Sequence, residues 1–234
     1  MKRPVKRISI AGYGANGAIR KIWLQILSVM LLLPMPAMAE KVTIVALGDS
    51  LVQGYGLSQD AGFVPQMQSW LTANGADAAL INAGVSGDTT TGALARVDWI
   101  LSPEVDALVV SLGGNDILRA IDPKLAKANL HSILSKAATR ELPVLLVGIN
   151  VPPNYGADYQ ADFEAIYPDL AAEFGTLIYA DFLQVLLAFP DRTATYQTYF
   201  QPDGLHPNAN GVALIVEDMG PSLLELITRA QTGN

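Results

Sequence analysis

Five short apolar runs, each followed by a segment of helical character, constrain the fold of this chain more than any other feature. The runs are nearly continuous and rich in β-branched residues, which is typical of strands covered on both faces. Such strands alternating with helices predict a parallel sheet joined by crossover helices. The predicted strands are residues 42–47, 78–82, 107–112, 143–150 and 176–179, and the predicted helices lie near 62–73, 89–101, 123–139, 159–174 and 208–229. The sequence therefore predicts one three-layer α/β/α sandwich around a five-stranded parallel sheet.

The first 39 residues have the pattern of a secretory signal peptide. They hold six basic and no acidic residues, an apolar stretch over 22–33, and small residues at Ala37 and Ala39, where a signal peptidase needs them. The apolar stretch is too short for a membrane span of about 20 residues. We expect cleavage near Ala39, export from the cytoplasm, and a mature domain of residues 40–234 without a stable membrane anchor. An uncleaved N-terminal anchor is the alternative, because the basic region is long.

The charge of the mature chain argues against two classes of partner. The whole chain has 15 basic and 22 acidic residues and a formal net charge of −7. Loss of residues 1–39 leaves nine basic against 22 acidic residues, a net charge of −13. Nucleic-acid phosphates and anionic lipid surfaces repel such a chain, so we expect neither as a partner. The chain has no cysteine, which excludes disulfides and thiolate metal sites.

A serine closely follows the first predicted strand, in Gly48-Asp49-Ser50-Leu51. Open parallel sheets bind ligands at the carboxyl ends of their strands. The hydroxyl of Ser50 is therefore a candidate nucleophile. Asp-Ser after a strand is also an ordinary helix-capping pattern, and these four residues alone do not separate the two interpretations.

A serine nucleophile needs a base and a group that orients the base, and the chain has two histidines. His131 lies on the polar face of a predicted helix, so we interpret it as a surface residue. His206 lies in a Gly/Pro-containing loop three residues after Asp203, whose carboxylate can fold back to the imidazole. The alternative is a plain turn in which Asp203 and Asn208 are local caps.

Two further loops follow the second and third predicted strands, at the same edge of the sheet as Ser50. Gly87 in the first loop has no side chain to shield its N–H, and Asn115 in the second has an amide. Donors of this kind stabilise a tetrahedral oxyanion, although both residues are also common turn formers. We interpret Asp49 and Asp116 as residues that stabilise loops, rather than as acid–base groups or metal ligands.

Two other features have alternative roles. Arg119 is a candidate contact for an anionic substrate group, with a surface salt bridge as the alternative. Three aromatic residues that precede Asp203 either line an acyl pocket or pack in the core, and core packing is the interpretation we favour. These residues are Tyr196, Tyr199 and Phe200.

Four motifs together resemble those of the SGNH, or GDSL, hydrolase family. They are Gly-Asp-Ser-Leu at 48–51, Ser-Gly-Asp-Thr at 86–89, Gly-Gly-Asn-Asp at 113–116 and Asp-Gly-Leu-His-Pro at 203–207. Their order and approximate spacing fit the family, and they span nearly the whole mature chain. Local matches at 153–156 and 165–171 narrow the resemblance to the bacterial periplasmic thioesterase, lysophospholipase and arylesterase branch.

The resemblance implies a flavodoxin-like SGNH hydrolase fold and a role for each of five residues. It makes Ser50 the nucleophile, His206 the base and Asp203 the group that orients His206. It makes the backbone N–H groups of Ser50 and Gly87 and the side chain of Asn115 the oxyanion donors. Nothing in the sequence resembles a set of metal ligands, so we expect no metal, and we expect no cofactor.

The expected activity is hydrolysis of small acyl esters and thioesters, including aryl esters and lysophospholipids, in the bacterial periplasm. One alternative is a carbohydrate O-deacetylase, a chemistry that the family also includes and that a small polar pocket would favour. An alternative of another class is a non-catalytic binding module that has kept the fold. The intact set of five residues argues against the binding module.

Overall fold

The computed structural model describes residues 41–233, together with Met1 and Pro4. The predicted signal peptide therefore lies outside the described residues, apart from those two positions. Over residues 41–233, none of the helices is both long and apolar enough to cross a membrane.

Five parallel strands form one sheet in the order β2-β1-β3-β4-β5. They are β1 (Val42–Gly48), β2 (Ala78–Gly84), β3 (Ala107–Ser111), β4 (Val144–Val147) and β5 (Leu177–Tyr179). This sheet confirms the predicted strand number and direction. β4 is shorter than predicted, because its pairing with the three-residue β5 ends where Val147 meets Tyr179.

Ten helices surround the sheet in the described part of the chain. They are α1 (Ser50–Gln53), α2 (Phe63–Ala73), α3 (Thr90–Ile100), α4 (Gly114–Leu118), α5 (Pro123–Thr139), α6 (Ala157–Glu164), α7 (Ile166–Phe174), α8 (Gln184–Leu187), α9 (Arg192–Tyr199) and α10 (Ala209–Thr232). The single helix predicted near 159–174 is wrong, since two helices meet there at Ala165. Pro168 in the first turn of α7 explains the break, because proline has no N–H to continue the hydrogen bonds of α6.

Two hydrophobic clusters, one on each face of the sheet, form the core. Successive residues of β1 alternate between them, since Ile44 and Ala46 lie in one cluster and Val45 and Leu47 in the other. Helices α2 and α10 cover the first face, and α3, α5 and α7 cover the second. The arrangement confirms the three-layer α/β/α sandwich.

The carboxyl ends of β1 and of its two neighbours in the sheet, β2 and β3, lie at one level. Gly48 at the end of β1 is in register with Gly84 of β2 and with Ser111 of β3. Helix α1, which begins at Ser50, packs tightly against β2. A Cβ atom at Gly84 would lie 2.3 Å from the backbone nitrogen of Gln53. Glycine at position 84 thus allows α1 to lie directly beside the end of β2.

We predict that Gly84→Ala lowers the free energy of unfolding by about 2–3 kcal/mol, because the added methyl group overlaps backbone atoms that side-chain rotation cannot move. Gly75→Ala is the control for conformational cost. Its Cβ would meet nothing within 4 Å, but its φ is +77°, so the expected cost is about 1 kcal/mol. Urea denaturation measures both, and an equal or smaller loss in Gly84→Ala would contradict the close packing of α1 on β2.

Candidate active site

Ser50 lies at the beginning of α1, two residues after β1 ends. The side chain of Asp49 caps the helix by accepting a hydrogen bond of 3.0 Å from the backbone N–H of Leu51. The N–H of Ser50, in the first turn of a helix, has no intrahelical acceptor. The cap therefore leaves both the hydroxyl and the N–H of Ser50 directed to the edge of the sheet, so capping and a chemical role are compatible here.

The structure brings Ser50, His206 and Asp203 into one line of hydrogen bonds. The Oγ of Ser50 lies 2.8 Å from the Nε2 of His206, and the Nδ1 of His206 lies 2.7 Å from Oδ2 of Asp203. The ring of Tyr55 packs on the imidazole with 4.8 Å between ring centroids. A neutral imidazole with Nδ1–H bonded to the carboxylate presents an acceptor at Nε2 to the hydroxyl.

The loop of Asp203 orients this carboxylate firmly. Its Oδ1 accepts hydrogen bonds from the backbone N–H groups of Leu205, at 2.9 Å, and of His206, at 3.1 Å. Gly204, with a φ of +67°, allows the turn. Desolvation acts in the opposite direction, but the hydrogen bonds from Leu205 and from the ring and backbone of His206 lower the pKa of Asp203 to about 2. The carboxylate of Asp203 is therefore ionised in the folded protein near neutral pH.

Gly87 and Asn115 line the same cavity as Ser50. Gly87 has a φ of +78°, which glycine adopts without strain. Within residues 41–233, the backbone N–H groups of Ser50 and Gly87 have no hydrogen-bond acceptor. The Nδ2 of Asn115 donates to Oδ2 of Asp49 at 3.2 Å, which orients the amide nitrogen toward this corner of the cavity. The three groups are thus a set of donors available to an incoming oxygen atom.

Asp49 is a buried carboxylate between Ser50 and Asn115, with only 3% of its surface exposed. Burial raises the pKa of Asp49 to about 6, in spite of the hydrogen bonds from Leu51 and Asn115 and the attraction of His206, which lower it. Asp49 therefore acts as a helix cap and as the hydrogen-bond partner of Asn115, in agreement with the loop-stabilising interpretation.

Asp116 has a similar role one residue after Asn115. It is fully buried and accepts hydrogen bonds from the N–H of Thr90, at 2.9 Å, and from its hydroxyl, at 2.6 Å. Burial raises the pKa of Asp116, and the bonds from Thr90 oppose that shift. Asp116 thereby joins α4, the short helix that carries Asn115, to the first turn of α3, which follows Gly87.

Sequence reasoning missed Arg96, which lies on α3 and holds three segments of the site together. Its guanidinium donates to the carbonyl of Gly48 at 3.1 Å, to the carbonyl of Ala83 at 2.8 Å and to the carboxylate of Asp88 at 2.7 Å. These acceptors lie at the end of β1, at the end of β2 and beside Gly87. No local pattern identifies such a residue, because its partners are 8 to 48 positions away.

A cavity of about 350 Å³ opens beside Ser50 and follows the edge of the sheet toward β4 and β5. Its wall on that side is mostly apolar and includes Ile149, Pro152, Phe182 and Leu183. None of Tyr196, Tyr199 and Phe200 lines this cavity. Phe200 is buried and Tyr199 packs against the core cluster beneath α10, so core packing is the correct interpretation for those two residues, while Tyr196 stays largely exposed.

His131 lies on the surface, as predicted, in a second Ser–His–carboxylate set. Its Nε2 is 3.0 Å from Glu173, and its Nδ1 is 3.4 Å from Ser135. The hydroxyl of Ser135 instead donates to the backbone carbonyl of His131 at 2.8 Å. Over residues 41–233, no three histidine or carboxylate side chains converge as metal ligands.

Comparisons with known proteins agree with the geometry. The model of the GDSL-like Lipase/Acylhydrolase family matches residues 46–214. Esterase TesA of Pseudomonas aeruginosa is 37% identical over 186 residues, which are 79% of this chain and 89% of that protein. Thioesterase 1/protease 1/lysophospholipase L1 of Escherichia coli is 34% identical over 187 residues, 79% of this chain and 85% of that protein.

A solved structure supports the same relationship. The crystal structure of AlinE4, an SGNH-hydrolase family esterase, has a TM-score of 0.65 and 38% sequence identity, and the match covers 81% of this chain and 98% of that one. The comparisons confirm the resemblance that the four motifs indicated. They also confirm the fold class and the prediction of a serine hydrolase that acts on ester bonds.

We predict that Asp49→Asn changes the pH dependence of stability. The carboxyl of Asp49 has a pKa of about 6 in the folded chain, compared with about 4 in the unfolded chain. Its contribution to stability is fully present below pH 4 and is lost as the pH rises through 6, because burial opposes ionisation in the folded chain. Between pH 4 and pH 8, the free energy of unfolding of the native chain should therefore fall by up to about 3 kcal/mol relative to that of Asp49→Asn.

Urea denaturation of both chains at the two pH values measures this difference. Asp122→Asn is the matched control, since Asp122 caps α5 in the same way from an exposed position. It should not reproduce the effect of Asp49→Asn, because its carboxylate is in contact with water. If the difference in the free energy of unfolding between Asp49→Asn and the native chain is the same at both pH values, burial does not raise the pKa of Asp49.

Proposed function

Because the chain belongs to the GDSL-like lipase/acylhydrolase family, we propose that Ser50 is the nucleophile with which it hydrolyses carboxylic esters and thioesters. The observation that carries the proposal is the hydrogen bond of 2.8 Å between the Oγ of Ser50 and the Nε2 of His206. A serine hydroxyl is a weak nucleophile until a base removes its proton. The side chain of His206 is 18% exposed, so it is sheltered but accessible to substrate and water.

Acylation begins when the Oγ of Ser50 attacks the carbonyl carbon of the ester and His206 accepts the hydroxyl proton at Nε2. Asp203 stabilises the imidazolium that forms, because its carboxylate is 2.7 Å from Nδ1. His206 then donates the proton to the departing alcohol or thiol, and the acyl group stays on Ser50. Asp203 itself is not protonated, in keeping with its lowered pKa.

The carbonyl oxygen becomes negatively charged in the tetrahedral intermediate. We assign its stabilisation to the backbone N–H groups of Ser50 and Gly87 and to the Nδ2 of Asn115. Loss of one such donor typically costs about 3 kcal/mol in the transition state. Asp49 supports this function indirectly, because its hydrogen bond to Asn115 holds the amide nitrogen, rather than the amide oxygen, toward the carbonyl.

Deacylation repeats the chemistry with water as the nucleophile. His206 accepts a proton from a water molecule that attacks the acyl-Ser50 carbonyl, and then returns that proton to the Oγ of Ser50 as the acid leaves. The side chains of this chain supply every proton transfer, and the proposal assigns no step to a metal or cofactor.

The proposed substrates are aryl esters, acyl thioesters and lysophospholipids. The apolar cavity wall near β4 and β5 supports acyl groups larger than acetyl, and the relatives include an esterase and a thioesterase/lysophospholipase. The proposed location is the bacterial periplasm, after cleavage near Ala39. The net charge of −13 beyond that position supports a function away from nucleic acids.

Ser50→Ala should lower kcat for p-nitrophenyl esters by about 10⁴-fold or more, because no other hydroxyl in the site is paired with a base. Ser135→Ala is the matched control, since Ser135 also lies beside an imidazole, that of His131, but on an exposed helix. It should keep the native kcat. Turnover that survives in Ser50→Ala, or that is lost in Ser135→Ala, would overturn the assignment of the nucleophile.

The acyl preference should separate an acyl-ester hydrolase from a carbohydrate O-deacetylase. In a series of p-nitrophenyl esters, kcat/KM should rise from acetyl to octanoyl by up to about fourfold for each added CH₂ while the chain still fills the apolar cavity. An acetylated sugar should be a poor substrate in the same assay. The fastest rates on acetyl groups and acetylated sugars would favour the deacetylase instead.

A further inference from the structure

Arg119 lies immediately outside the corner of the cavity where the oxyanion donors meet. It follows α4 directly, and its neighbour Leu118 lines the cavity. One guanidinium nitrogen, Nη2, donates to the backbone carbonyl of Gly87 at 2.8 Å. Gly87 lines the cavity as well, so this bond holds the cation at the rim of the cavity, beside one of the residues assigned as oxyanion donors.

The guanidinium has capacity for further partners. It carries five N–H donors in a planar fork, and one of them is used by Gly87. Among the residues that the structure describes, no carboxylate lies within 4.0 Å of it, in contrast to Arg96 with Asp88 and Arg229 with Glu225. The surface salt bridge considered for Arg119 is therefore not formed within this part of the chain.

The order of the strands indicates where the acyl chain and the leaving group of a substrate lie relative to Ser50. The apolar wall lies toward β4 and β5, on one side of β1, and suits the acyl chain. The loop of Ser86 and Gly87 follows β2, on the other side of β1. When the acyl chain lies along the apolar wall, the carbonyl oxygen faces the N–H of Gly87, and the leaving oxygen or sulfur lies beside the Nε2 of His206, which protonates it. The rest of the alcohol or thiol then extends past the loop of Gly87 toward Arg119, which is bonded to that loop.

We propose that Arg119 binds the phosphate of a phosphate-bearing leaving group, with the glycerophosphate of a lysophospholipid as the class that fits. A guanidinium fork matches the oxygen pairs of phosphate and is the preferred side chain for that group. In a protein with so large an excess of acidic residues, a rim cation without a carboxylate partner attracts an anionic group locally. The inference rests on the proposed function, since it assumes acyl transfer to Ser50.

Two kinds of substrate carry phosphate on the leaving group. In a lysophospholipid the phosphate is attached to the departing glycerol, close to the ester. In an acyl-coenzyme A thioester the phosphates lie at the far end of the pantetheine arm. Arg119 is fixed beside Gly87 and hence close to the reacting carbonyl, which suits the near phosphate of the glycerol.

The test compares two octanoyl glycerol esters, with and without a phosphocholine group on the glycerol, using the native chain and Arg119→Gln. A glutamine can still donate an N–H to the carbonyl of Gly87, so this variant removes the charge and keeps a donor. We expect kcat/KM for octanoyl lysophosphatidylcholine, below its micelle concentration, to fall about tenfold, as loss of about 1.4 kcal/mol requires. Monooctanoylglycerol, which lacks the phosphate, should change less than about twofold. Arg119→Lys, which keeps the charge, should recover part of the loss.

Two controls locate the effect. Arg192→Gln makes the same change of net charge at an exposed position on α9, and it should affect neither substrate. Octanoyl-coenzyme A compared with octanoyl N-acetylcysteamine tests the distant phosphates. A selective loss on the coenzyme thioester would assign the phosphate contact to pantetheine-linked phosphate, and a selective loss on the lysophospholipid assigns it to glycerophosphate.

Equal losses on both glycerol esters would mean that Arg119 only supports the Gly87 loop, and no loss on either would also overturn the phosphate site. The activity of Ser50→Ala on monooctanoylglycerol keeps the two proposals apart. If Ser50→Ala is inactive while Arg119→Gln changes kcat/KM for both glycerol esters by the same factor, only the proposal of a phosphate site is wrong. If Ser50→Ala retains turnover, the proposed function fails.

Discussion

Parallel pairing of β1 with both β2 and β3 is the constraint on which the site depends. Gly48 at the end of β1 is in register with Gly84 and Ser111, so the loops that follow the three strands leave the sheet at one level. Strands β1, β3 and β4 are packed on both faces, and a shift of register by one residue would turn their core side chains to the wrong face. The core packing that stabilises the fold therefore also determines which loops meet beside Ser50.

Partly buried polar contacts then hold those loops relative to one another. Arg96 reaches the ends of β1 and β2 and the carboxylate of Asp88 with one guanidinium, and Asp49 joins the helix of Ser50 to Asn115. A buried group that loses its partner costs about 1–3 kcal/mol, so displacing one loop is unfavourable for its neighbours. The site is organised before a substrate binds, which is what electrostatic stabilisation of an oxyanion requires.

Much of this arrangement could be predicted from the sequence, and the failures have physical reasons. Buried parallel strands are continuous apolar runs, so their positions and the motifs after them were visible, including Ser50. The break between α6 and α7 was missed although Pro168 marks it, because the apolar spacing continues across it. Short helices such as α8 depend on tertiary contacts rather than on propensity. Arg96 was missed because its acceptors are mostly backbone carbonyls, which no sequence pattern records.

The central claim is that chain segments more than 150 residues apart meet so that His206 activates Ser50. Peptide mapping by mass spectrometry after reaction with a fluorophosphonate tests it most directly, because the reagent stays on the serine that attacks it. We predict a single adduct on the peptide that contains Ser50, formed at a much lower rate in His206→Ala. An adduct on another serine, or labelling of Ser50 at an unchanged rate without the imidazole, would contradict the claim.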